Sequence, residues 1–227
     1  MGVAKKASRR DLNKQKSRQS ILKASRRLFS KNGYEETSMD EVAEKAEVSR
    51  ATLYNYFPNK ESLLMGTAEE ELEKVHGSLL FELKDVRRAD EKIFKVLEVF
   101  VLDSLMYLNL SRKITYLNSC EDSKLYATRV DMNHIIGDLV VEARDQGLFR
   151  LDVPVSDVVD IIMSVYLMAQ FQWKDVDRYS SEECARKLGR ILALTLRGVY
   201  ADAGAVFVPV GEPVCEPGGR PDDGPAA

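Results

Sequence analysis

The side chains best suited to chemistry lie together between residues 50 and 60. If this stretch forms a helix, Leu53 and Phe57 fall four residues apart on one face and turn inward. The outward set then combines an arginine, an amide, two phenols and two methyl-bearing side chains: Arg50, Ala51, Thr52, Tyr54, Asn55 and Tyr56. A merely solvated helix face usually carries Glu and Lys, so this set calls for another explanation.

These outward groups match the chemistry of DNA. Arginine bonds guanine in a bidentate manner, asparagine pairs with adenine, and small methyl groups contact the thymine methyl. Tyrosine hydroxyls, Lys60 and helix N-termini suit phosphate oxygens. The alternative is that Tyr54 and Tyr56 pack against neighbouring helices, and the sequence leaves that alternative open.

Capping and turn signals place this stretch in a group of three short helices. Apolar spacing predicts helices at residues 16–32, 39–46 and 50–57. Ser38 with Glu41 forms a capping box before the second helix, Ser49 caps the third, and Pro58 ends it. Because only Glu47 and Val48 link the last two helices, the pattern is typical of a helix-turn-helix.

The charge distribution also separates this segment from the rest of the chain. Residues 1–60 hold 14 Lys and Arg against 7 Asp and Glu, whereas the whole chain has a net charge of −3. A basic first quarter on an acidic body is typical of a head that binds a polyanion. A solvated basic arm would give the same imbalance.

The residues quoted above lie within a longer recognisable segment. The stretch RQSILKASRRLFSKNGYEETSMDEVAEKAEVSRATLYNYFPNKESLL, residues 18–64, resembles the DNA-binding domain of the TetR family of transcriptional regulators. The resemblance implies a DNA-contacting set at the helix starts and along the third helix: Ser38, Ser49, Arg50, Ala51, Thr52, Tyr54, Asn55, Tyr56 and Lys60. It further implies a double-stranded DNA operator as partner.

One position departs from the family pattern. Members often carry glycine where this sequence has Glu47. If this residue needs a positive φ, a side chain there costs about 1 kcal/mol, and its charge adds repulsion near DNA. We expect the turn to tolerate both effects.

The remainder of the chain predicts an all-α bundle of about six helices. Apolar spacing places them at residues 60–83, 90–108, 111–118, 123–146, 155–174 and 181–202. We therefore expect a TetR-like all-α protein with a mobile basic arm, a helix-turn-helix domain, a ligand-binding and dimerisation domain, and a Pro/Gly-rich mobile tail, at residues 1–15, 16–62, 63–203 and 204–227.

Polar residues inside an apolar helix predict either internal partners or a cavity. Asp103 and Ser104 interrupt the apolar run from Ile93 to Leu108. With the aromatic and sulfur-bearing residues near them in the pattern, they form a candidate ligand-binding set: Phe100, Asp103, Ser104, Tyr107, Tyr116, Met132 and His134. Such a lining would accept a small, largely apolar effector, although each residue could simply belong to the core.

The last two helices carry more apolar surface than one subunit's core requires, which predicts a homodimer. The candidate interface residues are Cys184, Leu188, Ile191, Leu192 and Thr195. The TetR resemblance implies the same four-helix interface, and we expect Leu192→Glu to split the dimer.

Other classes of function find little support in the sequence. The spacing of Cys120, Cys184 and Cys215 matches no metal or disulfide framework, and we expect no cofactor and no catalytic site. The longest charge-free run is too short and polar to span a membrane, and the N-terminus lacks a signal-peptide core, so we expect a cytoplasmic protein. The leading hypothesis is a homodimeric repressor released by a small effector. A DNA-binding regulator controlled by a protein partner or without ligand, a helical enzyme and a helical scaffold are the alternatives.

Overall fold

The described part of the chain is built from α-helices that are joined by short loops. The computed structural model describes residues 9–172 and 180–202. Within these ranges the α-helices are α1 (Arg9–Asn32), α2 (Met39–Lys45), α3 (Arg50–Tyr56), α4 (Lys60–Gly77), α5 (Ala89–Met106), α6 (Leu108–Asn118), α7 (Tyr126–Asp145), α8 (Val155–Gln172) and α9 (Ser181–Leu196). A π-helical turn, Ser78–Glu82, extends α4. The predicted all-α class, a helix-turn-helix followed by a helical bundle, is confirmed.

Two helix ends differ most from the sequence-based expectation. Helix α1 begins at Arg9, so residues 9–15 of the predicted basic arm are helical. Helix α9 ends at Leu196 because the chain then turns back, and Arg150 N donates to the Val199 carbonyl at 2.8 Å. The next residue, Tyr200, pairs with Phe149 in an isolated antiparallel bridge. The predicted tail, residues 204–227, and the end of the predicted helix 155–174 lie outside the described residues.

Two hydrophobic cores hold the helices. The head core joins α1, α2, α3 and the start of α4, with Ile21, Leu22, Phe29 and Leu53 fully buried. The bundle core is built mainly from α5, α7, α8 and α9. No helix of the described residues is long and apolar enough to cross a membrane.

Candidate nucleic-acid interface

The head core fixes how α3 is oriented. Leu53 is 0% exposed and Phe57 is 5% exposed, and both belong to the head core. Gly66 lets α4 pack directly against the Phe57 ring, because a Cβ at this position would lie 2.7 Å from that ring. At the start of α3, Ser49 Oγ accepts a hydrogen bond from Thr52 N at 3.1 Å. The outward face of α3 is therefore set by packing on one side and by a cap at its start.

The outward face carries the groups that the sequence predicts. Arg50, Ala51, Tyr54 and Asn55 are exposed, and Thr52 is half-buried. The Thr52 and Ser49 hydroxyls share a hydrogen bond of 2.8 Å. An arginine, an amide and a phenol thus stand in solvent on one short helix, where base edges and phosphates would meet them.

Tyr56, in contrast to these residues, packs against a neighbouring helix. Its side chain is half-buried, and its hydroxyl donates to the Lys14 carbonyl on α1 at 3.1 Å. This contact ties the end of α3 to the first turns of α1. The alternative that a tyrosine of α3 packs on a neighbouring helix therefore holds for Tyr56, whereas Tyr54 remains 47% exposed.

Helix α2 presents its N-terminus beside this face. Glu41 N donates to Ser38 Oγ at 3.2 Å, and Ser38 N donates to Glu41 Oε2 at 2.7 Å, which completes the predicted capping box. Ser38 Oγ also donates to Glu41 Oε2 at 2.8 Å, and the two hydrogen bonds that Ser38 N and Oγ donate to this carboxylate hold the pKa of Glu41 below its usual value. Ser38 thus keeps the first turn of α2 ordered at a position where a phosphate oxygen could approach.

Lys60 has a structural role that the sequence did not indicate. Its Nζ donates to the carbonyls of Tyr34 at 2.9 Å and Glu35 at 2.8 Å, and it lies 4.9 Å from the centre of the Tyr34 ring. The lysine therefore braces the turn between α1 and α2 from the start of α4. Ser38, Tyr54 and Lys60 line one shallow concavity, together with the acidic Glu35, Glu36 and Asp40.

Lys60→Met should lower the free energy of unfolding by about 1–3 kcal/mol, because two charge-assisted hydrogen bonds to carbonyls are lost while the aliphatic stem remains. Urea unfolding of both proteins measures the difference. Lys84→Met, at an exposed lysine, is the control and should leave stability unchanged. Equal midpoints for wild type and Lys60→Met would show that the brace contributes nothing.

Glu47 lies in the turn between α2 and α3 with a φ of 57°, in the left-handed region. The cost of about 1 kcal/mol expected for a residue with a Cβ therefore applies here. Glu47 lines a concavity together with the basic residues Lys23, Arg27 and Lys45. The turn is formed despite the departure from glycine.

The bundle contains a buried polar network around Ser104. The Ser104 and Tyr166 hydroxyls lie 3.1 Å apart, and Gln170 Nε2 donates to both oxygens, at 3.1 and 2.6 Å respectively. Thr115 Oγ1 donates to Gln170 Oε1 at 2.7 Å. This network joins α5, α6 and α8, and it satisfies the polar group that the sequence placed inside an apolar helix.

The other predicted ligand-binding residues are spread more widely. Phe100 packs against Tyr166 with ring centroids 5.8 Å apart, and Met132 is buried in the bundle core. Tyr107 is half-buried, and the central carbon of the Arg26 guanidinium lies 5.4 Å from the centre of the Tyr107 ring. Tyr116 and His134 are exposed, so the structure does not bring them to the buried network.

Asp103 lies in a group of charged residues that also includes Glu71 and Lys74. The sequence analysis singled out Asp103 but not Glu71. Lys74 Nζ donates to Asp103 Oδ1 at 3.2 Å. Burial, then the neighbouring Asp103, raises the pKa of Glu71 to about 8, while Arg26 and Lys74 partly offset the shift. Glu71 therefore holds a proton at pH 7 and can donate it to Asp103. Within the acidic run of α4, nothing in the sequence distinguishes Glu71 from its neighbours.

The predicted interface residues on α9 need correction. Cys184, Leu188 and Leu192 face the subunit's own core, with Leu192 only 4% exposed. Ile191 and Thr195 are half-buried. Leu194 instead is 63% exposed. The expectation that Leu192→Glu splits a dimer is therefore wrong, because a charge at that position would disrupt the subunit's own bundle core.

No group of three or more His, Cys, Asp or Glu among residues 9–172 and 180–202 could hold a metal ion.

A capped recognition helix on a three-helix head, carried by a helical bundle, defines the class of helix-turn-helix DNA-binding regulators. Residues 21–65 match the family model of the bacterial regulatory proteins, tetR family. The match covers the head and the start of α4, so it identifies residues 21–65 as a DNA-binding domain of the TetR type.

Two curated relatives show how far the likeness extends. The HTH-type transcriptional repressor KstR of Rhodococcus jostii is 47% identical over 64 residues, which cover 28% of this chain and 30% of that protein. The chain thus matches less than a third of that repressor's length. The transposon Tn10 TetC protein of Escherichia coli is 25% identical over 181 residues, covering 78% of this chain and 87% of TetC.

Solved structures extend the likeness to the whole fold. FadR of Thermus thermophilus, a TetR-family repressor in complex with lauroyl-CoA, has a TM-score of 0.58 at 23% identity, covering 89% of this chain and 100% of that one. FadR of Bacillus subtilis in complex with stearoyl-CoA has a TM-score of 0.67 at 18% identity, covering 79% and 98%. At these identities the structures show a common fold.

Proposed function

We propose that this chain is a homodimeric transcriptional repressor that binds an inverted-repeat DNA operator through α3 and leaves it when a small effector binds the bundle. The observation that carries the proposal is the outward face of α3. Leu53 and Phe57 are buried, which leaves Arg50, Tyr54 and Asn55 in solvent. Such a protein would work in the cytoplasm, where the operator lies.

Binding to DNA from a random-sequence library, followed by sequencing of the retained molecules, tests the core of the proposal. We expect an enriched inverted repeat whose two halves lie about 34–36 Å apart, because two heads of one dimer meet successive major grooves. The affinity should fall steeply with salt, because phosphate contacts release counterions. Retention of all sequences equally would contradict a sequence-specific regulator.

Arg50→Ala should weaken binding to the enriched operator by about 1–3 kcal/mol per half-site and relax the preference at one base pair in each half. The reason is that Arg50 stands at the front of α3 with its side chain 72% exposed, where a guanine edge is within its reach. Repeating the selection with the variant measures the effect. If the variant returns the same base preference, Arg50 contacts phosphate or nothing.

The dimer would form through the outward sides of α8 and α9. Phe171 on α8 is 49% exposed and Leu194 on α9 is 63% exposed. Ile161 and Leu167 on α8 and Ile191 on α9 are only partly buried against the bundle core. Large apolar side chains on two adjacent helices favour an isologous interface with a second copy.

The effector would act on the bundle around the Ser104 network. The structures named above hold long-chain acyl-CoA molecules in other members of the fold. Phe100 and Met132 supply apolar surface here, and Ser104, Tyr166 and Gln170 supply hydrogen-bonding groups. A largely apolar effector that reorganises these helices would shift the population away from the DNA-binding state.

A regulator controlled by a protein partner, or without any ligand, is the second candidate. It is favoured by the closed state of the Ser104 network, whose hydroxyls and amide already satisfy one another. Titrating the protein–operator complex with dodecanoyl-CoA separates the two candidates. Saturable release of DNA supports the effector, and unchanged binding supports the second candidate.

A further inference from the structure

We propose that Asp40 is a positioning residue for DNA reading: its carboxylate holds the Arg50 guanidinium in the orientation that faces a base edge and keeps it away from phosphates. The inference rests on the proposed function, because it concerns the same DNA-binding face. It assigns to an acidic residue a role in sequence preference.

The geometry joins the two helices of the helix-turn-helix. Arg50 Nη2 lies 2.8 Å from Asp40 Oδ2. Arg50 is the first residue of α3, and Asp40 is in the first turn of α2. The ion pair therefore bridges the N-terminal ends of both helices, at the side of the head where Ser38 and Tyr54 are also exposed.

The exposure of the pair argues against a role in stability. The side chains of Arg50 and Asp40 are 72% and 50% exposed. An ion pair in this environment contributes little to folding, because water and salt screen it. The pair also engages one nitrogen of a guanidinium that has five N–H donors, so donors remain for the two acceptors of a guanine edge.

The physical effect of Asp40 on DNA binding has two parts of opposite sign. Its negative charge repels phosphates, and this repulsion weakens binding to every sequence alike. Its contact restricts a long, flexible side chain before binding, so less conformational freedom is lost when Arg50 meets the correct base. A residue that lowers general affinity and favours one contact geometry increases discrimination between sequences.

A structural role for Asp40 is the alternative. A carboxylate in the first turn of a helix interacts favourably with the helix dipole, and Asp40 occupies such a position on α2. That role would change the stability of the head, but it would not change which base pair is preferred. The two roles therefore differ in their readouts.

The test compares Asp40→Asn with Glu44→Gln in the full-length dimer. Glu44 lies one turn further along α2, is exposed, and carries the same charge, so it controls for the loss of one negative charge. For each protein, library selection gives the base preference, and titration with a non-operator duplex gives the general affinity. Both variants should bind the non-operator duplex about 3-fold more tightly or better, because a phosphate-repelling charge is gone.

Only Asp40→Asn should lower the preference at the base pair read by Arg50, by about 5-fold or more. In an Arg50→Ala background, Asp40→Asn should cause no further loss of preference, since the side chain that it positions is absent. An unaltered preference in Asp40→Asn, or the same loss in Glu44→Gln, would overturn the inference while leaving the proposed function intact. A wild-type protein that selects no sequence would overturn both.

Discussion

Leu194→Glu is expected to dissociate the dimer and to lower operator affinity by about 100-fold or more, because one head alone loses the avidity of two linked heads. Leu194 is 63% exposed on the outward face of α9. In the proposed dimer, Leu194 would lie near the two-fold axis and close to its copy in the partner, so the variant would bring two carboxylates together in the interface. Sedimentation measures the mass, and a DNA titration measures the affinity.

Leu80→Glu is the matched control for this experiment. Leu80 is another leucine in solvent, 67% exposed, and it lies on the π-helical turn Ser78–Glu82, which packs against α4 and α5. This variant should remain dimeric and bind the operator as wild type does. A Leu194→Glu protein that still sediments as a dimer would place the interface on other surfaces.

The second large effect concerns pH and Glu71. The pKa of this carboxyl is raised from 4.5 to about 8, first by burial and then by Asp103. Between these two values the folded protein holds a proton that the unfolded chain has released, so this group's contribution to stability is full below pH 4.5 and is lost as pH rises towards 8. Glu71→Gln should remove this dependence, and at pH 8 the variant should be more stable than wild type by about 4 kcal/mol.

Urea unfolding at pH 5, 7 and 8 measures the slope for each protein. The glutamine amide can still donate to Asp103, so the variant changes the charge and keeps the hydrogen bond. Glu73→Gln, at an exposed position of α4, is the control and should keep the wild-type slope. Parallel slopes for wild type and Glu71→Gln would show that Glu71 is ionised throughout this range.

Local signals in the sequence were sufficient for the head. Ser38 with Glu41 and Ser49 mark helix starts through hydrogen bonds that span three residues, so their partners can be read directly from spacing. The burial of Leu53 and Phe57 follows from helical periodicity in the same way. These short-range rules predicted both the fold of the head and the exposed face of α3.

Contacts between distant segments could not be predicted in this way. Tyr56 bonds a carbonyl 42 residues away, and Lys60 bonds carbonyls 25 and 26 residues away. On α9 the apolar residues cover a wide arc, and spacing alone does not separate the side that meets the subunit's core, with Leu192, from the outward side, with Leu194. Only the packing of α9 against α5 and α8 resolves this choice.

The boundary between head and bundle also has a consequence for how the protein unfolds. The head core includes Leu110, Ile114 and Leu125, which lie on α6 and just before α7. Residues far along the chain thus complete the head core, where α6 packs against α1. Backbone amides of α3 and α6 should consequently exchange with deuterium at related rates, as parts of one cooperative unit. By thermodynamic reciprocity, any molecule that alters the position of α6 changes the affinity for DNA, and DNA changes the affinity for that molecule by the same factor.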